Sequence, residues 1–159
     1  AAKMNEKSAK LGLYSLRFVE PTGLDSRNMG KAVDIIRLLK VALEAENISS
    51  ALRLTDYFAG PLNNKKRHQV WSTNWLLTNW IPNAFDKKIL VGKTGFIEQA
   101  GYNLVVRVPG DNAHRIRVVV MGAASNEARF IEARDLSMWI FTNFVWPEDE
   151  DYGKLAVGG

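Results

Sequence analysis

Apolar residues in the first half of the chain recur at helical spacing. Residues 3–11 predict the end of a helix, which Gly12 stops. From residue 28 to about residue 46, apolar positions follow one another at intervals of three and four, which predicts one face of an amphipathic helix. These positions are Met29, Ala32, Val33, Ile36, Leu39 and Leu43. Residues 48–54 predict a short second helix, and residues 55–88 a mixed region of turns and short elements.

The second half of the chain changes to the pattern of strands. Residues 88–95 predict a short strand, and residues 101–108 and 115–122 are two further β-rich runs. The six residues 109–114 that separate these runs are rich in turn formers, so an antiparallel hairpin is expected. Because residues 118–121 are apolar at every position, they predict a central strand covered by helices on both faces.

A closing helix is predicted after the strands. Asn126 is the expected N-cap, and the helix runs to about Phe144. Its apolar stripe is formed by Phe130, Ala133, Leu136, Ile140 and Phe144. Residues 145–159 are acidic and broken by Pro147, which predicts a tail or linker after a domain of residues 1–144. Helices, then antiparallel strands, then a closing helix predict an α+β fold.

Composition fits one globular domain and excludes several chemistries. The chain has 159 residues, of which 47% are apolar and 24% charged, so a disordered chain is excluded. It has no cysteine, which excludes disulfides, Cys-based zinc sites and thiol catalysis. The two histidines, His68 and His114, do not make a conventional zinc site without several carboxylates, so we expect no metal. No apolar run approaches the roughly 20 residues that span a bilayer.

The net charge is +4, from 21 basic and 17 acidic residues. This surplus suits an anionic partner and equally suits a plain solvated surface. The basic run at residues 65–67 lies in a stretch rich in Gly, Pro and Asn, which favours an exposed loop over a nucleic-acid site. Trp71, Trp75 and Trp80 form a stacking platform for sugars or bases, or they pack the core; their spacing favours packing.

The tripeptide Lys93-Thr94-Gly95 lies at the end of a predicted strand, within an ordered series of short segments. Residues 92–129 contain, in order, Gly-Lys-Thr-Gly, Ala-Gly-Tyr-Asn-Leu, a hairpin ending Val-Met-Gly-Ala, and a helix opening with Glu-Ala-Arg. This order resembles the serine D-alanyl-D-alanine carboxypeptidases, which are low-molecular-mass penicillin-binding proteins. The motifs of this class are Ser-x-x-Lys, Ser-x-Asn and Lys-Thr-Gly.

The first half of the chain resembles the same family. Residues 4–7, Met-Asn-Glu-Lys, resemble the helix that follows the Ser-x-Asn loop. Residues 18–25 are similar to the family's Phe-x-Asn-Pro-x-Gly-Leu-Asp, with Glu20 in place of Asn, and residues 74–77 are similar to Asn-x-Leu-Leu. The resemblance covers about residues 3–144. It implies part of a β-lactamase/penicillin-binding-protein-like α+β fold, an antiparallel sheet covered by helices.

The resemblance also implies roles in an acyl-transfer site. Lys93 places a positive charge beside the attacking serine. Thr94 offers its hydroxyl to the terminal carboxylate of the substrate, and Gly95 lets the strand approach the peptide. The backbone N–H of Phe96 is one of two oxyanion-hole donors. Arg129, in the first turn of the last helix, holds the substrate carboxylate with its guanidinium.

The nucleophile is where this chain departs from the family pattern. None of its eight serines has a lysine three residues later. Two Ser-x-Asn strings, residues 26–28 and 72–74, both lie after the 4–7 helix, whereas the family's own string precedes it, so we interpret them as a helix start and a turn. The chain does not begin with Met and has no signal peptide, so a removed leader or a piece of a longer protein is expected. We therefore expect the C-terminal part of a catalytic domain, inactive by itself.

For the complete enzyme, the resemblance implies hydrolysis of the terminal D-Ala of peptidoglycan stem peptides through a serine ester. The expected location is the bacterial cell envelope, with β-lactams as inhibitors and no metal or cofactor. Further expected partners are the missing N-terminal part of the same domain, no nucleic acid, and a membrane only through segments outside this chain. The alternative is a non-catalytic domain that binds stem peptides or another anionic ligand. A basic nucleic-acid binder ranks last.

Two geometric expectations follow. The strand with Lys93-Thr94-Gly95 should be an edge of the sheet, with Thr94 and Arg129 at the same groove. The surface that the missing segments cover should expose apolar residues from the 28–46 helix and from the strands.

Overall fold

A computed structural model describes residues 1–60, 66–110 and 114–149 of the chain. The basic run at 65–67 and the predicted turn at 109–114 therefore lie partly outside the described residues. The elements in chain order are α1 (Ala2–Lys10), α2 (Ala32–Ala42), α3 (Glu46–Ala51), β1 (Asp56–Ala59), β2 (His68–Trp71), β3 (Val91–Ile97), β4 (Gly101–Pro109), β5 (Arg115–Ala123) and α4 (Ala128–Asn143). The expected α+β order of helices, antiparallel strands and a closing helix is confirmed.

The strands form two antiparallel sheets. One is the ribbon β1-β2, and the other has the order β3-β4-β5. In the larger sheet Lys93 lies opposite Val105, and Val105 lies opposite Val119. The predicted β4–β5 hairpin is confirmed, but β5 is an outer strand of this sheet and β4 is its central strand.

Residues 118–121 of β5 are all apolar, although β5 is not the central strand that this run predicted. Side chains alternate between the faces of a strand. Val118 and Val120 join the buried core that includes Phe130 of α4, whereas Val119 and Met121 line a groove on the other face, beside α2. Helices on both faces thus explain the run, as predicted, although the strand itself lies at an edge.

The main core lies between the three-stranded sheet and α4. The members with the lowest exposure are Leu76, Leu90, Leu104, Val106, Val108, Phe130 and Ala133. On α4 the buried stripe is Phe130, Ala133 and Ser137. Leu136 and Phe144, which the sequence pattern placed on this stripe, are 43% and 54% exposed, so that part of the prediction is wrong.

The small residues of α4 explain the shift of its buried face. Ala133 and Ser137 are both fully buried, and short side chains at these positions let the helix axis approach the sheet closely. The Ser137 hydroxyl donates to the Ala133 carbonyl at 2.6 Å, so its burial leaves no unpaired polar group. Hydropathy alone ranks Leu136 above Ser137, and the geometry of packing reverses that order.

Helix α2 begins at Ala32, four residues later than the predicted start at residue 28. Met29 instead pairs with Arg17 in an isolated antiparallel bridge, with N–H···O distances of 2.8 and 2.9 Å. Asp34 in the first turn of α2 is buried and accepts hydrogen bonds from the Ser15 N–H and hydroxyl. These Ser15 bonds lower the pKa of Asp34 below its ordinary value, with a smaller contribution from nearby Arg37.

The segment after α4 packs against His114, the residue before β5. The Trp146 ring stacks on the His114 ring at 4.5 Å between centroids, and on Phe141 at 5.8 Å. His114 Nε2 lies 2.6 Å from Asp149 Oδ1. The Trp146 N–H, and then His114, lower the pKa of Asp149. Residues 150–159 of the predicted tail lie outside the described residues. No helix in the described part of the chain is both long and apolar enough to cross a membrane.

The loop at residues 18–25 is organised by the carboxylate of Glu20. This carboxylate accepts hydrogen bonds from the Thr22 hydroxyl, from the Gly23 N–H at 2.7 Å and from the Asn28 amide at 2.6 Å. The Thr22 hydroxyl, together with backbone N–H groups, lowers the pKa of Glu20 from 4.5 to about 2. A glutamate here thus has a defined role where the family pattern has Asn.

The replacement Glu20→Gln should remove a pH-dependent part of the stability. A carboxylate whose pKa is depressed by folding stabilises the fold above its unfolded pKa, and this contribution is lost as the pH falls from about 4.5 to about 2. We expect Glu20→Gln to unfold more easily than the parent chain at pH 6, and the difference to shrink by pH 3. Urea unfolding at the two pH values measures it. An equal difference at both would contradict the assignment.

Candidate functional site

The Lys93-Thr94-Gly95 tripeptide lies on β3, which is an outer strand of the three-stranded sheet, as expected. Lys93 and Gly95 are exposed and Thr94 is half-buried. Because side chains alternate along a strand, Lys93 belongs to the α2 face of the sheet and Thr94 to the opposite face. The Lys93 ammonium group donates to the carbonyl of Thr94. The motif therefore lies at an open edge, where a second chain segment can approach it.

Arg129 approaches the same strand from α4. Its side chain is buried, and Nη1 donates to the carbonyls of Gly95 and Asn103 at 3.0 and 3.1 Å. Nη2 donates to the side-chain oxygen of Asn126. The guanidinium also lies 5.4 Å from the centroid of the Tyr102 ring. Burial lowers the pKa of Arg129, but a guanidinium stays charged at neutral pH.

The structure thus brings Arg129 to the carbonyl of Gly95, the residue after Thr94 on β3. These N–H groups of the guanidinium already bind protein oxygens, and Nε is buried without a hydrogen-bond partner. Arg129 therefore holds the Gly95 carbonyl in place and puts a fixed positive charge behind the strand. Its contact with a substrate carboxylate remains a prediction from the family resemblance.

The start of α4 differs from the sequence prediction. Asn126 does not cap the helix, because its side-chain oxygen accepts from Arg129. The Ser125 hydroxyl instead accepts from the Ala128 N–H at 3.0 Å. The residue expected to cap the helix therefore positions the buried arginine.

A mostly apolar groove runs along the α2 face of the sheet, beside Lys93. Its volume is about 320 Å³. The lining includes Leu16, Phe18, Ile35, Leu38, Val105, Val119 and Met121. On its rim Met29 and Met121 are about half exposed. Apolar residues of α2 and of the strands therefore line an accessible groove, and its cover by missing segments stays a prediction.

On the other side of β3, Thr73 meets Thr94. Their hydroxyl oxygens are 2.6 Å apart. The sequence prediction treated residues 72–74 only as a turn and missed this contact. The following residue, Asn74, is 2% exposed and lies beneath Gly92, where an added Cβ would come 3.1 Å from its side-chain nitrogen. Thr73 and Asn74 therefore pack against β3, at Thr94 and Gly92 respectively.

The aromatic residues divide into two groups. Trp75 stacks on Trp80 at 5.7 Å and on Phe130 at 5.5 Å, so its predicted packing role is confirmed. Trp71 and Trp80 are 63% and 73% exposed, which the packing prediction did not anticipate. Phe96 stacks on Tyr102 at 4.2 Å and stays half exposed.

The described residues contain no group of three His, Asp or Glu side chains that could hold a metal ion.

Comparison with known proteins decides the family. The family model described as D-alanyl-D-alanine carboxypeptidase matches residues 1–125, which include α1 to β5 and the Lys93-Thr94-Gly95 strand. The chain belongs to the D-alanyl-D-alanine carboxypeptidase family. This is a family of serine peptidases, so the resemblance read from the motif order is confirmed.

The curated relatives include both activities of such enzymes. The chain is 37% identical over 159 residues to a D-alanyl-D-alanine endopeptidase of Haemophilus influenzae, which covers 99% of this chain and 48% of the relative. It is 34% identical over 146 residues to an Escherichia coli protein of the same name, covering 91% of this chain and 44% of the relative. A D-alanyl-D-alanine carboxypeptidase DacA of Haemophilus influenzae is 32% identical, with 95% of this chain and 36% of the relative covered. The chain spans less than half the length of these relatives.

Solved structures confirm the penicillin-binding-protein fold. Penicillin binding protein 5 of Haemophilus influenzae superimposes with a TM-score of 0.72 at 28% identity, over 91% of this chain and 39% of that one. A D-alanyl-D-alanine carboxypeptidase of Mycobacterium tuberculosis H37Rv gives a TM-score of 0.71 at 19% identity, over 92% and 54% of the two chains. The second likeness bears on the fold alone.

Proposed function

We propose that this chain is the C-terminal part of the catalytic domain of a serine D-Ala-D-Ala peptidase, which acts on peptidoglycan peptides in the bacterial cell envelope. The observation that carries the proposal is the open edge of β3, where Lys93-Thr94-Gly95 is braced from behind by the buried guanidinium of Arg129. The family membership and the lengths of the relatives support it.

In this proposal the chain supplies one wall of an acyl-transfer site. A serine from outside the chain attacks the carbonyl carbon of the D-Ala before the scissile bond. The C–N bond to the next residue breaks, and the amine of that residue leaves with the serine proton. Water then cleaves the serine ester and regenerates the hydroxyl. Lys93 stabilises the charge that develops at the serine, and the Phe96 N–H donates to the oxyanion. The Thr94 hydroxyl donates a hydrogen bond to the carboxylate of the residue after the scissile bond, and the positive charge of Arg129 attracts this carboxylate.

The groove beside Lys93 supports the proposed position of the missing part. It is lined by apolar residues from three different parts of the chain: the segment before α2, α2 itself and the sheet. Covering this surface would remove it from water, and an N-terminal segment that carries the nucleophile would then lie against Lys93.

The relatives add a second candidate for the bond that is cleaved. Three curated relatives, at 31–37% identity, are D-alanyl-D-alanine endopeptidases, and one at 32% is a carboxypeptidase. Carboxypeptidase action removes the terminal D-Ala, whereas endopeptidase action opens a cross-link between two stem peptides. Both break a bond after D-Ala by the same acyl transfer, so the wall described above serves either activity.

Two substrates given to the complete natural protein test the proposal. We expect it to form one covalent penicilloyl adduct, detected by mass spectrometry, and to cleave a D-Ala-D-Ala peptide or a cross-linked stem-peptide dimer. Loss of one alanine identifies the carboxypeptidase, and release of two monomers the endopeptidase. The 159-residue chain alone should gain no adduct. Binding of stem peptides without adduct or cleavage would instead establish the non-catalytic binding domain.

A further inference from the structure

Thr73 is a polar residue at the proposed site that the family motifs do not explain. It follows β2 by two residues, and its hydroxyl oxygen lies 2.6 Å from that of Thr94. This distance is that of a good O–H···O hydrogen bond. Both hydroxyls lie at the open edge of β3, where Thr73 is exposed and Thr94 half-buried.

The neighbours of Thr73 hold it rigidly. On one side the Ser72 N–H donates to the Thr55 carbonyl at 2.8 Å, which ties the segment to the β1–β2 ribbon. On the other side Asn74 is buried, and its side-chain oxygen accepts from the Leu76 N–H at 3.2 Å. Because both flanking residues are fixed, Thr73 meets Thr94 at little further entropic cost.

The hydroxyl pair has a simple proton balance. Each hydroxyl has one proton to donate, and the short contact uses one of the two. One O–H therefore stays free to donate outward, and its oxygen already accepts a bond, which strengthens it as a donor. A carboxylate only accepts hydrogen bonds, so it pairs with this outward O–H. The buried positive charge of Arg129 behind Gly95 favours an anion at the same place.

We propose that Thr73 is a positioning residue that orients the Thr94 hydroxyl toward the carboxylate of the substrate residue after the scissile bond. This inference rests on the proposed function and adds to it the residue that sets the direction of the Thr94 proton. The hydroxyl of Thr73 is what matters, and its methyl group is dispensable.

The test compares two variants of the complete natural protein on two peptides. The peptides end in D-Ala-D-Ala with a free carboxylate or with the same carboxylate amidated. Thr73→Val keeps the shape and removes the hydroxyl, so kcat/KM for the free carboxylate should fall roughly three- to tenfold, mainly through KM. It should fall clearly less for the amide, whose neutral carbonyl oxygen is a weaker acceptor. Thr73→Ser should restore the parent value. Thr142→Val, the same change on the exposed face of α4, is the control.

The outcomes separate the inference from the proposed function. If the parent protein cleaves neither peptide and forms no penicilloyl adduct, the proposed function fails, and the inference fails with it. If the parent cleaves the free-carboxylate peptide and Thr73→Val matches it, only the inference fails. An equal loss on both peptides, or no recovery in Thr73→Ser, would show a purely structural role and also overturn it.

Discussion

Replacing Lys93 by alanine in the complete natural protein should slow acylation by penicillin about 10²- to 10³-fold. The reason is the loss of a preorganised charge partner from the transition state of acyl transfer. Lys93 is exposed, and within the described part of the chain its ammonium group donates to the Thr94 carbonyl alone, so its removal leaves no buried polar group there unpaired. The rate of penicilloyl adduct formation by mass spectrometry measures the effect.

Lys40 provides the matched control for this experiment. It is an exposed lysine on α2 and lies outside the described groove and the β3 edge. Lys40→Ala removes the same charge from the protein as a whole, so it should leave the acylation rate within about twofold of the parent. An equal slowing in both variants would assign the effect to net charge and remove Lys93 from the site.

Replacing either of two glycines on β3, three residues apart, by alanine should affect the stability of the protein very differently. A Cβ on Gly92 would lie 2.8 Å from the Val105 carbonyl and 3.1 Å from the Asn74 side chain, so something must move. We expect Gly92→Ala to lower the free energy of unfolding by roughly 1–3 kcal/mol, the usual range for overpacking. A Cβ on Gly95 would meet no atom within 4 Å, so Gly95→Ala should change it by less than about 1 kcal/mol.

The activity of the Gly95→Ala variant completes the prediction. In Gly95→Ala the added methyl group occupies the open edge where the peptide is proposed to lie, so acylation should slow roughly tenfold to a hundredfold in a normally folded protein. Urea unfolding gives the stability, and adduct formation gives the rate. A Gly95→Ala protein as active as the parent would show that the substrate does not approach this strand.

Elements with strong local signals were predictable from the sequence. Helix α1, the β4–β5 hairpin and the order of segments around Lys93 depend on local periodicity and turn residues, and the structure has them where expected. The start of α2 was not predictable in this way. Met29 fits the helical pattern, but it pairs with Arg17, twelve residues earlier, in a bridge that no local rule anticipates.

In the candidate site, too, some contacts were predictable from the sequence and others were not. The family order predicted Arg129 at the same groove as Thr94, and in the structure its guanidinium donates to the carbonyl of Gly95, one residue further along β3. The contact of Thr73 with Thr94 spans 21 residues and joins a turn to a strand, so no spacing in the sequence indicates it. The Asn126 side chain accepts a hydrogen bond from Arg129 because a buried guanidinium requires acceptors. The guanidinium is buried only when α4 packs on the sheet, so the local sequence does not indicate this bond.

The His114–Trp146–Asp149 contact decides where a tether can be joined to this molecule. Helix α4 begins beside Gly95 and ends near Gly110, the residue after β4, 16 residues and about 24 Å later. The contact of Trp146 and Asp149 with His114 then fixes the chain at that far end. A surface linker, a dye or a fused reporter attached after Asp149 would start well away from Lys93. Immobilisation through this end should leave the β3 edge open to peptides in solution.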